Sequence, residues 1–197
     1  MSAERELWLI RHGETEWSLS GQHTGRTDIP LTEEGREKAV GIRQYLAGRK
    51  FELVLSSPLS RARETCRIAG YGDAAKIDSN LREWDYGIYE GMTRVEIRER
   101  QEGWSIWSSP VPEGESIDEV SDRANLVIER AMAANGRVLM FAHGHFFRVL
   151  TARWLGLAAD AARLFALDTA ALSILGFERE TRVIRLWNRS LTEQAPV

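Results

Sequence analysis

The chain has 197 residues, 43% hydrophobic and 28% charged, the proportions of one folded domain with a sizeable core and not of a disordered or fibrous chain. A formal net charge of -3 argues against broad nucleic-acid binding while leaving room for a local basic pocket. The single cysteine, Cys66, excludes an internal disulfide framework and fits a reducing compartment. Residues 1–6 are charged and lack an apolar stretch, so no signal peptide is expected. No later run is long enough to span a bilayer, and the expected setting is the cytoplasm, without a membrane partner.

Glu6 to Ile10 reads as a short buried strand, followed by a polar loop over Gly13 to Pro30. Thr32 then reads as the N-cap of a helix with acids in its first turn, an apolar face of Ala39, Ile42, Tyr45 and Leu46, and a stop at Gly48. Leu53 to Ser57 is a second strand, and Pro58 suits the opening of a helix through about Ala69, within which Cys66 reads as a buried structural thiol. Ala75 to Ser79 is a short third strand, Asn80 to Gly91 a loop, and Thr93 to Gln101 a charged, solvent-facing helix. Trp104 to Gly114, with Pro110 and Pro112, reads as an irregular excursion.

A capping box at Ser116 and Glu119 opens a helix with Ile117, Val120, Ala124, Val127, Ile128 and Ala131 at helical spacing, ended by Gly136. Arg137 to Ala142 is the clearest buried strand. After His143-Gly144-His145 come a helix through Leu155, a shorter one near Asp160 to Leu167, and two strands, Ala171 to Glu178 and Arg182 to Asn188. The tail from Ser190 reads as loose. Alternating strands and helices predict a three-layer α/β sandwich with a mainly parallel central sheet, in a single domain over 1–197.

In such sheets ligands sit beyond the carboxyl ends of the strands. Arg11 and His12 follow the first strand, Ser57 and Arg61 the second, and His143 the strand ending at Ala142. A histidine at a strand exit is by itself an ordinary hydrogen-bonded residue. Three strand exits carrying cationic or imidazole groups instead predict an electropositive pocket around a nucleophilic imidazole, which suits a phosphate.

The ordered pieces Arg11-His12-Gly13-Glu14-Thr15, Thr24-Gly25, Ser57-Pro58-Leu59-Ser60-Arg61-Ala62 with Thr65, Leu81-Arg82-Glu83, Tyr86-Gly87, Glu90-Gly91, Gly114-Glu115-Ser116 and Ala142-His143-Gly144 resemble the histidine phosphatase, or phosphoglycerate mutase-like, superfamily. That resemblance implies a phosphatase in which His12 forms a phosphohistidine. Arg11, Arg61 and His143 would hold the phosphoryl group, and Glu83 would protonate the leaving oxygen and then take a proton from water. The expected partner is a small phosphate ester, with inorganic phosphate as product and no cofactor. Arg63 reads as a surface charge and Ser116 as a helix cap, while Trp104 and Trp107 either line the mouth of the site or pack the excursion.

Within the family, the mutase branch carries Asn at the position of Ser18 and a longer, basic segment before the second histidine. This chain instead resembles sugar-phosphatase members, namely the sedoheptulose-1,7-bisphosphatase-like group and relatives described as acid phosphatases. Ser18, Gln22, Thr24, Gly25, Tyr86, Gly144 and His145 are thereby implicated in substrate binding. Three alternatives stay open at this point: a mutase using the same nucleophile, a non-catalytic phospholigand-binding module, and a zinc site. The last would use His143 and His145, whose spacing on an extended backbone points both the same way, with His12 and a carboxylate. Arg11 and Arg61 would repel such a cation, so no metal is expected. No residue pattern sets an oligomeric state.

Overall fold

Along the first strand the side chains alternate, and that alternation fixes the layers of the molecule. In the computed structural model, which describes residues 5–191, β1 (Leu7–Arg11) sends Leu7 and Leu9 into one hydrophobic cluster and Trp8 and Ile10 into another. The second cluster lies under α2 (Glu33–Leu46) and α3 (Ser60–Ile68), through Ala39, Ile42, Leu46, Cys66 and Ala69. The first lies under α5 (Ile117–Met132) and α6 (Gly144–Trp154), through Val120, Ala124, Val127, Phe146, Phe147 and Leu150. Helices thus cover both faces of one sheet.

The sheet has six strands, completed by β2 (Leu53–Ser56), β3 (Ala75–Ile77), β4 (Val138–Ala142), β5 (Leu172–Glu178) and β6 (Thr181–Arg189), in the order β3-β2-β4-β1-β5-β6. The first four in that order run parallel, and β5 and β6 add an antiparallel hairpin at one edge. Register decides where the site falls. Arg11 pairs with Ala142 and Ser56 with Phe141, so β1, β4 and β2 end at one level. The ladder continues one step further, with the His12 N–H donating to the Ala142 carbonyl and the Ser57 N–H to the Phe141 carbonyl, each at 2.9 Å. His12, Ser57 and His143 therefore emerge together at the carboxyl edge.

Several local expectations change. The loop over 13–30 contains a short helix, α1 (Glu16–Ser20), closed at its start by a reciprocal Thr15–Ser18 capping box. Pro58 lies ahead of α3, which opens at Ser60, whose N–H and hydroxyl both bond to the Asp28 carboxylate at 2.8 Å. The loop over 80–91 holds two single turns of 3-10 helix, Ser79–Leu81 and Gly87–Tyr89, and the element near Asp160 is also 3-10, over Ala159–Leu164. The charged helix α4 (Arg94–Arg100) faces solvent except for Ile97, which is buried. Trp104, Ile106 and Val111 in the irregular excursion are buried too. Of the tail from Ser190, residues 192–197 lie outside the described residues.

Candidate active site

His12 is buried beyond the end of β1, with its Nδ1 2.7 Å from the Gly13 carbonyl oxygen. A carbonyl only accepts, so Nδ1 carries the ring proton and Nε2 keeps its lone pair. Burial, and then the charges of Arg61 and Arg11, hold the His12 pKa well below the ordinary imidazole value. The ring is a neutral base in cationic surroundings. Its backbone is fixed from behind, where the Gly13 N–H donates to Thr65 Oγ1 at 3.0 Å, and that hydroxyl donates to the Arg61 carbonyl at 2.7 Å. Gly13 packs directly on α2, and a Cβ there would lie 2.5 Å from the Gly35 carbonyl oxygen.

Arg61 is fully buried on α3, where its terminal nitrogens donate to the carbonyls of Thr27, Thr24 and Gly25 at 3.0–3.1 Å. Arg11 donates from Nη1 to the Leu167 carbonyl. His143, the residue before α6, stands with its ring centroid 5.2 Å from that of His12. Ser57 Oγ accepts from the Leu59 N–H at 3.3 Å and lies 2.8 Å from His143 Nε2. With the Ser57 hydroxyl donating to Nε2, the His143 ring proton sits on Nδ1. Burial, then Arg61, His12 and Arg11, keep His143 neutral as well. Arg11 Nε, Arg61 Nε and His143 Nδ1 are buried and have no hydrogen-bond partner among the described residues. Three partnerless donors near one imidazole are a costly arrangement unless an anion's oxygens satisfy them.

Glu83 completes the group. The first N–H groups of a helix need acceptors, and His143 gives α6 no side-chain cap. Glu83 supplies one: Oε1 accepts from Phe146 N and Trp84 N at 2.9 Å, and Oε2 accepts from His145 N at 3.0 Å. Because Oε2 accepts only one N–H, it keeps a position open for a proton. The segment carrying Glu83 is itself braced by Arg123 of α5. That guanidinium binds the Glu115 carboxylate at 2.7 and 2.8 Å and the carbonyls of Asn80 and Arg82 at 2.6 and 3.1 Å.

A cavity of about 180 Å³ opens over these groups, lined by Arg11, His12, Ser18, Gln22, Thr24, Glu83, Tyr86, Gly144 and His145. Arg61 and His143 are buried beside His12 and do not line it. Nor does Gly25, whose contributions are the carbonyl that receives Arg61 and an N–H donated to Glu90 Oε1 at 2.7 Å. Gly144 is where Arg11 passes closest to α6, and a Cβ there would lie 3.1 Å from the guanidinium carbon. Burial raises the Tyr86 hydroxyl pKa well above its usual value, and that hydroxyl is hydrogen-bonded with His145 Nδ1. Burial also keeps His145 neutral.

His143 and His145 do not point together as an extended backbone would place them, because His145 already lies in the first turn of α6. Among the described residues no group of three His, Cys, Asp or Glu is arranged to hold a metal ion. Arg63 is exposed and Ser116 caps α5, both as expected. Trp104 and Trp107 pack the excursion, standing edge-on 5.4 Å from His23 and 5.0 Å from His145 respectively, and neither lines the cavity over His12. His23, Trp17, Arg148 and Leu167 also line the cavity. None of the four is assigned a role from the sequence, although Trp17 and His23 fall within the stretches Thr15–Ser18 and Gly21–Asp28 that resemble the sugar-phosphatase members.

A neutral imidazole ringed by partnerless cationic and imidazole donors, at the carboxyl edge of a mainly parallel sheet, defines an α/β protein built to handle phosphoryl groups. Residues 7–190 match the model of the histidine phosphatase superfamily (branch 1), and the chain belongs to that superfamily. It is a phosphatase. Its relatives include an acid phosphatase of Mycobacterium tuberculosis, 39% identical over 180 residues covering 89% of this chain and 88% of that protein. Another is the sedoheptulose 1,7-bisphosphatase of Saccharomyces cerevisiae, 35% identical, covering 77% of this chain and 68% of that protein. A solved structure of the Mycobacterium tuberculosis Rv3214 product superposes with a TM-score of 0.90 at 37% identity, covering 95% of this chain and 98% of the other.

Proposed function

We propose that this phosphatase hydrolyses a small phosphomonoester, in particular a sugar phosphate or bisphosphate, through a phosphohistidine on His12, and that residues 1–197 act as one domain. His12 Nε2 attacks phosphorus in line, forming a P–N bond as the ester P–O bond breaks. Arg11, Arg61 and His143 hold the equatorial oxygens, and Glu83 delivers a proton to the departing oxygen. A water then attacks the phosphohistidine and gives its proton to Glu83, which releases inorganic phosphate and restores both residues. Two arginines and a second imidazole supply the charge stabilisation, so the scheme uses no cofactor.

The observation that carries this reading is the set of buried donors, Arg11 Nε, Arg61 Nε and His143 Nδ1, without partners around a neutral His12 whose Nδ1 is already engaged. Support for a sugar phosphate comes from the polar side chains in the cavity lining, Ser18, Gln22, Thr24 and the Tyr86–His145 pair, and from the named relatives. The test is phosphate release across sugar mono- and bisphosphates and 3-phosphoglycerate, with His12→Ala as control. Release by wild type and none by His12→Ala is expected. Interconversion of phosphoglycerates without release would identify a mutase, and equal turnover by both proteins would refute the mechanism.

A further inference from the structure

Beyond the chamber over His12 the lining changes character. His23, His145 and Arg148 also border a second, wider cavity of about 570 Å³, to which Arg94, Trp107, Arg163 and Leu164 contribute. The chamber over His12 and the wider cavity therefore adjoin at those three shared residues. Three arginines and no carboxylate line the wider cavity. Arg163 is paired with Asp160, outside the lining, and Arg94 is exposed.

Arg148 is different because it is held in place. Its Nε donates to the Ala162 carbonyl at 3.1 Å and its Nη2 to the Arg163 carbonyl at 3.4 Å, while its guanidinium lies 4.5 Å from the Trp107 ring centre. Trp107 is in turn wedged edge-on against His145 and Trp84. Among the described residues no carboxylate pairs with Arg148, and its Nη1 has no hydrogen bond. A stacked guanidinium with a free N–H edge, fixed where two cavities meet, is preorganised for an anion. The apolar neighbours Trp107 and Leu164 suit the carbon skeleton that carries it.

We propose that Arg148 reads a second anionic group, a carboxylate or a second phosphate, on the leaving-group side of the ester, so that the enzyme prefers phosphorylated acids and bisphosphates to phosphate esters of neutral alcohols. This rests on the phosphatase reading above and adds a substrate class to it. Arg148 acts on binding and not on the reacting atoms.

Matched pairs of esters test it: glycerol 3-phosphate against 3-phosphoglycerate and sorbitol 6-phosphate against 6-phosphogluconate for a carboxylate, fructose 6-phosphate against fructose 1,6-bisphosphate for a phosphate. Wild type should favour the acidic member of at least one kind of pair by tenfold or more in kcat/KM, and the kind favoured identifies the anion. Arg148→Gln should reduce that ratio by about 10- to 100-fold, the usual worth of one charge-assisted hydrogen bond. The change should fall mainly on KM, and Arg148→Lys, which keeps the charge without the stacked fork, should keep only part of the preference. Should neither variant fold, competitive inhibition of wild-type p-nitrophenyl phosphate turnover by 3-phosphoglycerate against glycerol 3-phosphate and by fructose 1,6-bisphosphate against fructose 6-phosphate decides the matter, because both members of each pair bring a phosphoryl group to His12. At least tenfold stronger inhibition by the acidic member of one kind of pair is expected. Equal turnover within every pair, equal inhibition, or a preference intact in Arg148→Gln would overturn the proposal while leaving the phosphatase standing. Phosphate release from none of the esters would overturn both.

Discussion

Replacing Glu83 by glutamine separates two jobs that the structure gives to one carboxylate. As a cap, Glu83 accepts N–H groups of Trp84, His145 and Phe146. A glutamine oxygen in the Oε1 position keeps the bonds to Trp84 and Phe146, while its amide nitrogen faces the His145 N–H, donor against donor. One charge-assisted bond is lost, at a cost of about 1.5–3 kcal/mol, and this loss is the same for every substrate. As a proton donor, Glu83 adds a loss that depends on the leaving group. General acid catalysis is worth roughly 10²–10⁴-fold for an alkyl phosphate, whose alkoxide cannot leave unprotonated, and little for p-nitrophenyl phosphate. Glu83→Gln should therefore lower kcat/KM for glycerol 3-phosphate by roughly 10²-fold or more beyond its effect on p-nitrophenyl phosphate. Parallel urea unfolding measures the cap loss separately. Equal kinetic losses on both esters in a folded variant would leave Glu83 as a helix cap and remove it from the acid role.

Other consequences follow from the same geometry. His12 and His143 are neutral in the fold with pKa values well below the ordinary one, so the unfolded chain binds their protons first. Stability present above pH ~6.5 is then lost as the pH falls toward the native values, by up to about 1.4 kcal/mol per pH unit for each histidine. Urea titrations between pH 7.5 and 5 should show a shallower slope for His143→Asn than for wild type, and identical slopes would contradict the burial argument. Gly144→Ala puts a Cβ 3.1 Å from the Arg11 guanidinium carbon and should weaken competitive inhibition by phosphate by roughly tenfold through misplacement of the clamp; an unchanged inhibition constant would mean that Arg11 does not hold the phosphoryl group. Arg123→Met removes the brace on the Glu83 segment. It should destabilise the fold by about 1–3 kcal/mol and lower turnover of glycerol 3-phosphate more than that of p-nitrophenyl phosphate, whereas a uniform loss would make the brace purely structural.

Much of this site was legible because its residues sit at strand ends, and buried strands announce themselves. The apolar runs Leu7–Ile10 and Val138–Ala142 located β1 and β4, and with them His12 and His143. The helical spacing of Val120, Ala124, Val127 and Ile128 located α5. What escaped depends on contacts between distant segments. The helix over Glu16–Ser20 is too short to show a period, and it is held by its two ends, the Thr15–Ser18 capping box and the left-handed Gly21 whose N–H donates to the Trp17 carbonyl. Glu83 was singled out by family resemblance, since a carboxylate in an acidic loop says nothing of the three N–H groups it receives from its own segment and from α6. Arg148 had no signal, because it is one more basic residue on a helix until Trp107, 41 positions earlier in the chain, stacks against it. The antiparallel hairpin of β5 and β6 follows from the tight turn after Glu178, whereas its place beside β1 comes from tertiary pairing alone.

The central claim is that His12 carries the phosphoryl group, and trapping that group tests it most directly. Wild-type enzyme mixed with a ³²P-labelled hexose phosphate and quenched in alkali within a single turnover should hold label on His12, lost in acid and stable in base, with none on His12→Ala. Failure to find labelled His12 at any quench time while phosphate is being released, or equal labelling of His12→Ala, would contradict the account.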